Sequence, residues 1–354
     1  MYVPVPAKIS SRRFDFRSLQ RLKGGRKIDE VPIVNKVTMK DIAREAKVSP
    51  ATVSYILNNV ENQTITDETR CRVLDTAKKL NYIPSLTARS LAKGKSGMLG
   101  LLLNRNAQEG FWKQLYYGTL IERMEKNCKK EGYHLLVSGM EADQPNLDIV
   151  QQRKMDGVLL VDVKEGVFRN ISVHFSIGTP IVLLDSFIED SLFHKVVFDY
   201  RTAFTKWKER TGDTDNGSFL VMESFNNARM VEEIIKASQM ESDSIYVLTS
   251  DNADGLKPFL ELQRGKKGIV INEFIGALVM NASYGLDLEI SVICTSNCPE
   301  ILPPHVHTFL MDADRCPIDI SFQILHFYIQ SQTVTKDGAY PQTAYSPYVY
   351  IPFH

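Results

Sequence analysis

VSPATVSYILNN, residues 48–59, is a short run of small and β-branched residues that opens with two helix-starting signals. Ser49 is a favoured N-cap residue and Pro50 is favoured at the first helical position, so the sequence predicts a helix that begins here. Its inward face is predicted to consist of apolar residues at helical spacing, namely Val53, Ile56 and Leu57. The first turn carries only small side chains, which lets the backbone come close to a packed core or to the groove of a nucleic acid.

Helices are also predicted on both sides of this segment. Thr38 and Asp41 have the spacing of a capping box, and an apolar stripe follows as far as about Lys47, formed by Ile42, Ala43 and Ala46. Thr66 can cap a third helix, which is predicted to bury four residues against the first two, namely Val73, Leu74, Ala77 and Leu80. The short step between the first two helices predicts a helix-turn-helix domain over residues 37–84, whose second helix enters the major groove of DNA.

The outward residues of the second helix are the predicted DNA contacts. Pro50, Ala51 and Tyr55 are predicted to approach base edges. Short polar side chains are predicted to meet phosphate oxygens, and these are Ser49, Thr52, Ser54 and Asn58. A three-helix core that touches no DNA would show the same periodicity and is the alternative.

Charge is divided unevenly along a chain whose net charge is zero. Residues 1–96 contain 19 Lys and Arg against 9 Asp and Glu, and residues 97–354 contain 23 against 33. A basic N-terminal part on an acidic remainder suggests that only the former meets a polyanion. No apolar run approaches the roughly 20 residues that cross a bilayer, and five scattered cysteines fit a reducing compartment. We therefore expect a cytoplasmic protein without a membrane partner.

Residues 1–36 form a basic extension without a steady hydrophobic period. We expect this segment to be disordered and to have no fold of its own. A flexible arm that attracts phosphates is the alternative, and a translation start near Val34 would leave the segment out.

Two stretches, VTMKDIAREAKVSPATVSYILN and YIPSLTARSLA, together resemble the lactose repressor family (LacI/GalR type) of bacterial transcription regulators. The resemblance covers roughly residues 37–103 and implies a hinge and linker at residues 85–96, of which Ser85 to Ala92 become helical only on operator DNA. It further implies that Leu91, with Ala88 beside it, is wedged into the minor groove. Thr38, Tyr82 and Ala92 complete the expected DNA contacts. A linker whose Leu91 packs on its own body is the alternative.

The resemblance has two departures in this region. The link NNVENQTIT is about two residues longer than the usual pattern, and Tyr55 stands where many members carry Arg or His. Tyr cannot make the bidentate guanine contact of Arg, so the sequence predicts an inverted-repeat operator but not its base sequence.

The remainder, residues 97–354, alternates apolar strand-sized runs such as GMLGLLL and TPIVLLD with amphipathic helices. Repeated βα units predict parallel sheets with helices on both faces, and a ligand crevice at the carboxyl ends of the strands. The resemblance implies a periplasmic-binding-protein-like body of two α/β subdomains that dimerises and holds a small effector in the cleft between them. The fold class predicted for the whole chain is thus an all-α head on an α/β body.

Six residues are the candidates for effector binding. Phe111 and Trp112 could form an apolar platform, or they could be core residues of the cleft wall. Arg229 resembles the arginine that grips sugar hydroxyls in the family, and a structural salt bridge is its alternative role. Asp199, Asn272 and Glu273 complete the set.

A further change lies at the position where a family Asp closes on the sugar. This chain has Ser296 or Asn297 there, and a serine cannot replace a carboxylate as a charged acceptor of two hydrogen bonds. An ordinary hexose effector is therefore disfavoured.

Other chemistry is weakly signalled. Four residues that precede Cys316 could supply zinc ligands, namely Cys294, Cys298, His305 and His307. Their spacing is not that of a zinc ribbon or finger, and buried thiols are the simpler interpretation of the cysteines. We expect no metal and no cofactor. No catalytic motif stands out, and an enzyme fused to a DNA-tethering head is the remote alternative.

The sequence therefore predicts a transcriptional regulator, in the simplest case a repressor, that binds double-stranded operator DNA as a homodimer. A tetramer stays open. The expected effector is a small molecule such as a sugar or a sugar derivative. Control by a protein partner, with a sugar pocket that no longer functions, is the alternative.

Overall fold

The computed structural model describes residues 37–57, 63–82, 95–175, 178–212, 217–331 and 345–354. Contacts divide the chain into two units, residues 1–84 and 85–354. We call the described parts of these units the head and the body. The basic extension at 1–36, Asn58, and residues 85–94 of the predicted hinge and linker, with Ala88, Leu91 and Ala92, lie outside the described residues.

The head contains three helices, α1 (Met39–Ala46), α2 (Pro50–Leu57) and α3 (Asp67–Lys79). The predicted caps are confirmed. Asp41 Oδ2 accepts hydrogen bonds from the Thr38 N–H at 3.0 Å and the Thr38 hydroxyl at 2.7 Å. Ser49 Oγ accepts the Thr52 N–H at 3.0 Å, and Thr66 Oγ1 accepts the Thr69 N–H at 3.4 Å.

Seven buried apolar residues from the three helices form the core of the head: Ile42, Ala43, Ala46, Val53, Ile56, Val73 and Ala77. The prediction that Leu74 is buried is wrong, because its side chain is 44% exposed. Val73 and Ala77 lie four residues apart on the inward face of α3, and Leu74, one position further round, points away from that face. Leu57 and Leu80 are partly buried against the core.

The described body contains two parallel sheets, as predicted. The first has the order β11-β5-β4-β3-β1-β2. Its strands are β1 (Met98–Arg105), β2 (His134–Glu141), β3 (Gly157–Val161), β4 (Ile181–Leu184), β5 (His194–Phe198) and β11 (Tyr348–Ile351). Strands β3, β4 and β5 are buried along their whole length, which explains the continuous apolar sequences of β3 and β4.

The second sheet has the order β10-β9-β8-β6-β7. Its strands are β6 (Ser218–Glu223), β7 (Ile245–Leu248), β8 (Lys267–Ile271), β9 (Glu289–Ile293) and β10 (His307–Phe309). Strands β9 and β10 pair in parallel, with His307 opposite Ser291 and Phe309 opposite Ile293. All five cysteines are free, and Cys294 is fully buried in the apolar cluster of this sheet.

Helices connect most of the successive strands of both sheets. They are α4 (Phe111–Lys130), α5 (Asp148–Gln152), α6 (Glu165–Ser172), α7 (Tyr200–Thr211), α8 (Ala228–Ser238), α9 (Leu256–Leu262), α10 (Glu273–Ala282) and α11 (Pro317–Ser331). Helix α11 returns the chain from the second sheet to the first and packs against α4 and β3 to β5. Among the described helices, none is both long and apolar enough to span a membrane.

Candidate functional site

The exposed face of α2 is the first candidate site. Pro50, Ala51 and Tyr55 are exposed, whereas Val53 and Ile56 on the opposite face are buried in the head core. Ala51 and Tyr55 are four residues apart, so their side chains lie on the same face of the helix. The three residues predicted to approach base edges therefore form part of one accessible surface with small neighbours.

The predicted phosphate contacts lie at helix starts. Ser49 Oγ caps α2 and lies 2.9 Å from Thr52 Oγ1, and Thr38 caps α1. Ser54 is half-buried on α2. Tyr82 is half-buried and packs against the head core. Asn58, Ala88, Leu91 and Ala92 lie outside the described residues, so their proposed contacts remain predictions.

The second candidate site is the region where the carboxyl ends of the two sheets meet the first turn of α4, which we call the cleft. Of the aromatic pair that begins α4, Phe111 is 52% exposed and Trp112 only 3% exposed. Trp112 belongs to the buried apolar cluster of the second sheet. A Cβ on Gly110 would lie 2.2 Å from the indole ring, so the glycine leaves room for it. Trp112 is therefore a core residue, which is the alternative role given for it above, and it does not form an open platform.

Arg229 and Asp199 also have local partners. Arg229 Nη1 forms an ion pair with Glu189 Oε1 at 2.6 Å, which is the structural role given as the alternative. Asp199 caps α7 by accepting the Thr202 N–H at 3.1 Å and its hydroxyl at 2.6 Å. Asp199 lines a cavity of about 380 Å³, which none of the other five effector candidates lines.

Asn272 and Glu273 are fully buried where β8 turns into α10. Asn272, at a φ of 82°, accepts the Phe274 N–H at 2.9 Å and caps that helix. The Glu273 carboxylate accepts backbone N–H groups from Thr295 at 2.9 Å, Ser296 at 3.0 Å and Cys298 at 2.8 Å. Burial raises the pKa of Glu273 even though these N–H groups favour its charged form. Both side chains hold the backbone of the second sheet.

Lys113, which sequence reasoning missed, occupies the centre of the cleft and is 2% exposed. Its ammonium nitrogen lies 3.2 Å from Asp162 Oδ2 and 3.1 Å from Glu223 Oε2. It also donates to the Ser224 carbonyl at 3.4 Å and lies 4.2 Å from the centre of the Phe225 ring. Burial alone would lower the pKa of Lys113, but the two carboxylates outweigh it and hold that pKa well above its usual value.

A third carboxylate, Asp185, adjoins this group and is 2% exposed. Its Oδ2 accepts the Tyr116 hydroxyl at 2.7 Å, and within the described part of the chain its Oδ1 has no hydrogen-bond partner. Burial raises the pKa of Asp185 to about 7, against the opposing effects of Tyr116 and Lys113. The cleft thus holds three buried carboxylates around one ammonium group.

Two asparagines complete the contacts between the sheets. Asn226 Nδ2 donates to the Asn104 carbonyl at 3.0 Å and to Asp162 Oδ2 at 3.2 Å. Asn227 Nδ2 donates to the carbonyls of Val163 at 2.7 Å and Phe187 at 3.1 Å. The start of α8, on the second sheet, is therefore bonded to the strand ends of the first sheet.

The missed residues carried a signal in the sequence. Asp162 follows β3, Asp185 follows β4 and Glu223 ends β6, so each acidic residue stands at the carboxyl end of a buried strand. Parallel strands bring such ends to one edge of a sheet. A search for acidic residues directly after apolar runs would have found all three, although not their amine partner.

No zinc-like arrangement accompanies these groups. Among the described residues, no three His, Cys, Asp or Glu side chains lie close enough together to hold a metal ion.

Comparison with known proteins identifies the head. Residues 38–85 match the family "Bacterial regulatory proteins, lacI family". The transcriptional repressor PurR of Mannheimia succiniciproducens is 32% identical over 154 residues, 42% of this chain and 43% of that protein. The ribose operon repressor of Escherichia coli K12 is 33% identical over 128 residues, 35% of this chain and 36% of that protein. The matched segment spans less than half the length of either relative, and both relatives are repressors rather than enzymes.

A solved structure extends the likeness to the fold of the body. The lac repressor dimer bound to operator and the anti-inducer ONPF has a TM-score of 0.67 and 18% identity. The superposition covers 90% of this chain and 96% of that one, and at this identity it concerns the fold alone. The head at residues 38–85 therefore matches the lacI family of bacterial regulatory proteins, and the body of two parallel sheets has a fold similar to that of the lac repressor.

Proposed function

We propose that this protein is a sequence-specific DNA-binding regulator of transcription and that it acts as a repressor. The observation that carries the proposal is the capped helix α2, whose exposed Pro50, Ala51 and Tyr55 lie opposite a buried Val53 and Ile56. A helix with small residues in its first turn can place its N-terminal end deep in a major groove. The family match over the same residues and the repressor activity of the matched relatives support this function.

The DNA-bound form is proposed to be a homodimer on an inverted repeat. A two-fold dimer presents two copies of α2, and the symmetry of the operator then mirrors that of the protein. The lac repressor, whose fold is similar, is a dimer bound to operator in its solved structure. Action on chromosomal DNA implies a cytoplasmic location.

Selection of duplexes from a random pool by the full-length chain tests the proposal. We expect enrichment of an inverted repeat, and footprinting of the promoters next to the gene should protect a matching site. A pool without enrichment at low salt, together with a monomer in sedimentation, would refute it.

Tyr55 is proposed to contact a base edge directly. Replacing Tyr55 with Ala should raise the Kd for the selected operator about tenfold, since one base contact contributes roughly 1–3 kcal/mol of discrimination. It should also relax the preference at one position in each half-site of the selected sequences. Tyr284, which is 93% exposed in the body, gives the matched control variant Tyr284→Ala. An unchanged sequence profile for Tyr55→Ala would remove Tyr55 from base recognition.

Leu91, outside the described residues, is proposed to act as the minor-groove wedge. Leu91→Ala should weaken specific binding about tenfold or more and leave salt-sensitive binding to random DNA nearly unchanged, because the wedge stabilises only the bent operator complex. Binding titrations on operator and on shuffled DNA at several salt concentrations measure both quantities. Equal losses on the two duplexes would contradict the wedge.

Control of DNA affinity was predicted to come from a small effector in the cleft, with a protein partner as the alternative. The contacts of the sugar candidates favour a cleft that is no longer a neutral-sugar site. Arg229 is paired with Glu189, Glu273 is engaged by three backbone N–H groups, and Trp112 is buried in the second sheet. The proposed regulator therefore differs in its effector chemistry from a sugar-responsive one.

A further inference from the structure

The surroundings of the Lys113 ammonium group match the chemistry of a primary amine. An ammonium group on a carbon stem has three N–H donors. Three acceptors surround this one, namely Asp162 Oδ2 at 3.2 Å, Glu223 Oε2 at 3.1 Å and the Ser224 carbonyl at 3.4 Å. The Phe225 ring, 4.2 Å away at its centre, offers the negative face that attracts cations. The arrangement has the parts of a receptor for an alkylammonium ion.

The charge around this site exceeds what Lys113 compensates. Asp162 and Glu223 are at most 3% exposed and share the single ammonium group of Lys113, and the buried carboxyl of Asp185 lies near them. Asp185 Oδ1, itself buried, has no hydrogen-bond partner among the described residues. The acidic groups therefore outnumber the one ammonium group that Lys113 brings to them, which suits the site to a cation. A neutral sugar would leave this charge uncompensated.

The groups that hold the ammonium ion come from both sheets. Lys113 lies on α4, which follows β1, and Asp162 lies directly after β3; both strands belong to the first sheet. Glu223 is the last residue of β6 in the second sheet. Trp112, next to Lys113, is buried in the apolar cluster of the second sheet. The Lys113 ammonium group therefore forms ion pairs with both sides of the cleft. It occupies the position where a ligand between the two sheets would bind.

We propose that the cleft is a binding site for a primary ammonium group, and that the chain fills this site with its own Lys113. The side chain acts as a tethered ligand that holds the two sheets together without an external effector. A free amine must compete with a group at high effective concentration, so the unmodified protein binds small alkylammonium ions poorly. The ammonium site concerns the same cleft as the proposed regulator. It depends on the DNA-binding function only where an effect on DNA affinity is expected.

Truncation of the tethered ligand tests the site. In the full chain, Lys113→Ala removes the equivalent of n-propylammonium and should lower the Tm by about 10 °C, because two buried carboxylates lose their partner. Adding n-propylammonium chloride at about 100 mM should raise the Tm of this variant by several degrees with saturation. The unmodified protein should not respond.

The controls separate a site from a general salt effect. Potassium chloride, n-propanol and tetramethylammonium, which lack either the charge or the N–H donors, should not restore the Tm. Lys113→Met removes the ammonium group but fills the space of the aliphatic stem, so it leaves no room for a propyl chain and n-propylammonium should not stabilise it. Lys129→Ala, an exposed lysine on the same helix, should change neither the Tm nor the response.

Equal Tm shifts with n-propylammonium and potassium chloride would overturn the proposal, as would equal responses of Lys113→Ala and Lys113→Met. If Lys113→Ala does not fold in buffer, refolding it in n-propylammonium becomes the readout. Recovery of native circular dichroism then supports the site, and failure to recover overturns it. None of these measurements involves DNA, so a failed ammonium site and a failed DNA-binding function remain distinguishable.

Discussion

Replacement of Asn227 by Ala is expected to lower the free energy of unfolding of the body by roughly 4 kcal/mol, since each stranded buried group costs about 1–3 kcal/mol. The side chain is fully buried and joins the two sheets. Its Oδ1 accepts the N–H groups of Phe187 at 3.2 Å and Met230 at 2.9 Å, and its Nδ2 donates to the carbonyls of Val163 and Phe187. Alanine leaves all four groups without this partner. Urea unfolding followed by circular dichroism measures the loss.

Asn146 offers a matched control for Asn227. It is exposed, and its Oδ1 accepts the Asp148 N–H at 2.8 Å at the start of α5. Asn146→Ala should lower the free energy of unfolding by about 1 kcal/mol or less, because water can replace the lost acceptor. Similar losses for the two variants would show that the buried hydrogen bonds of Asn227 do not join the sheets in solution.

Replacement of Asp185 by Asn is expected to remove a large pH dependence of stability. The pKa of Asp185 is raised to about 7 in the folded protein from 3.8, chiefly by burial, so the folded state holds its proton more tightly than the unfolded state. The contribution of this carboxyl to the free energy of unfolding therefore decreases as the pH rises from 3.8 to about 7, and it is lowest above the folded pKa. Relative to Asp185→Asn, the unmodified protein should lose roughly 2–3 kcal/mol between pH 5 and pH 8.

The groups that face Asp185 decide how this experiment is read. Tyr116 donates to it, and Lys113, Glu223 and Asp162 act through their charges. Urea titrations of both proteins from pH 5 to pH 8 give the difference curve, in which contributions common to both cancel. Because the Tyr116 hydrogen bond lowers the pKa of Asp185, Tyr116→Phe should move the midpoint of the loss to higher pH. If the difference between the two proteins did not change with pH, the pKa of Asp185 would not be raised in the folded state, and the prediction would be wrong.

Local signals were sufficient to predict the head. The caps at Thr38, Ser49 and Thr66 depend on residues within three positions, and the structure has them where the sequence indicated. The exception, Leu74, shows the limit of an apolar pattern. A two-turn stretch offers more apolar residues than one face can bury, and tertiary packing selects Val73 and Ala77.

The body could be predicted as alternating strands and helices, but the contents of the cleft could not. Asp162 and Glu223 meet at Lys113 only because β3 and β6 belong to different sheets whose ends face each other. That meeting depends on strand order and on how the chain crosses between sheets, and neither leaves a local pattern. The resemblance to sugar-binding members pointed to Arg229, Asn272 and Glu273, which here stabilise their own surroundings.

The burial of Trp112 gives this protein an optical reporter of its own. The chain has two tryptophans, and both are nearly inaccessible, Trp112 at 3% and Trp207 at 2% exposure. Trp112 lies on α4, which follows β1 of the first sheet, and its indole ring is buried in the apolar cluster of the second sheet. Separation of the two sheets would therefore expose the ring to water. Trp207, on α7, lies in a different apolar cluster. A red-shifted, acrylamide-quenchable emission that disappears in Trp112→Phe would thus record opening of the body without any attached dye.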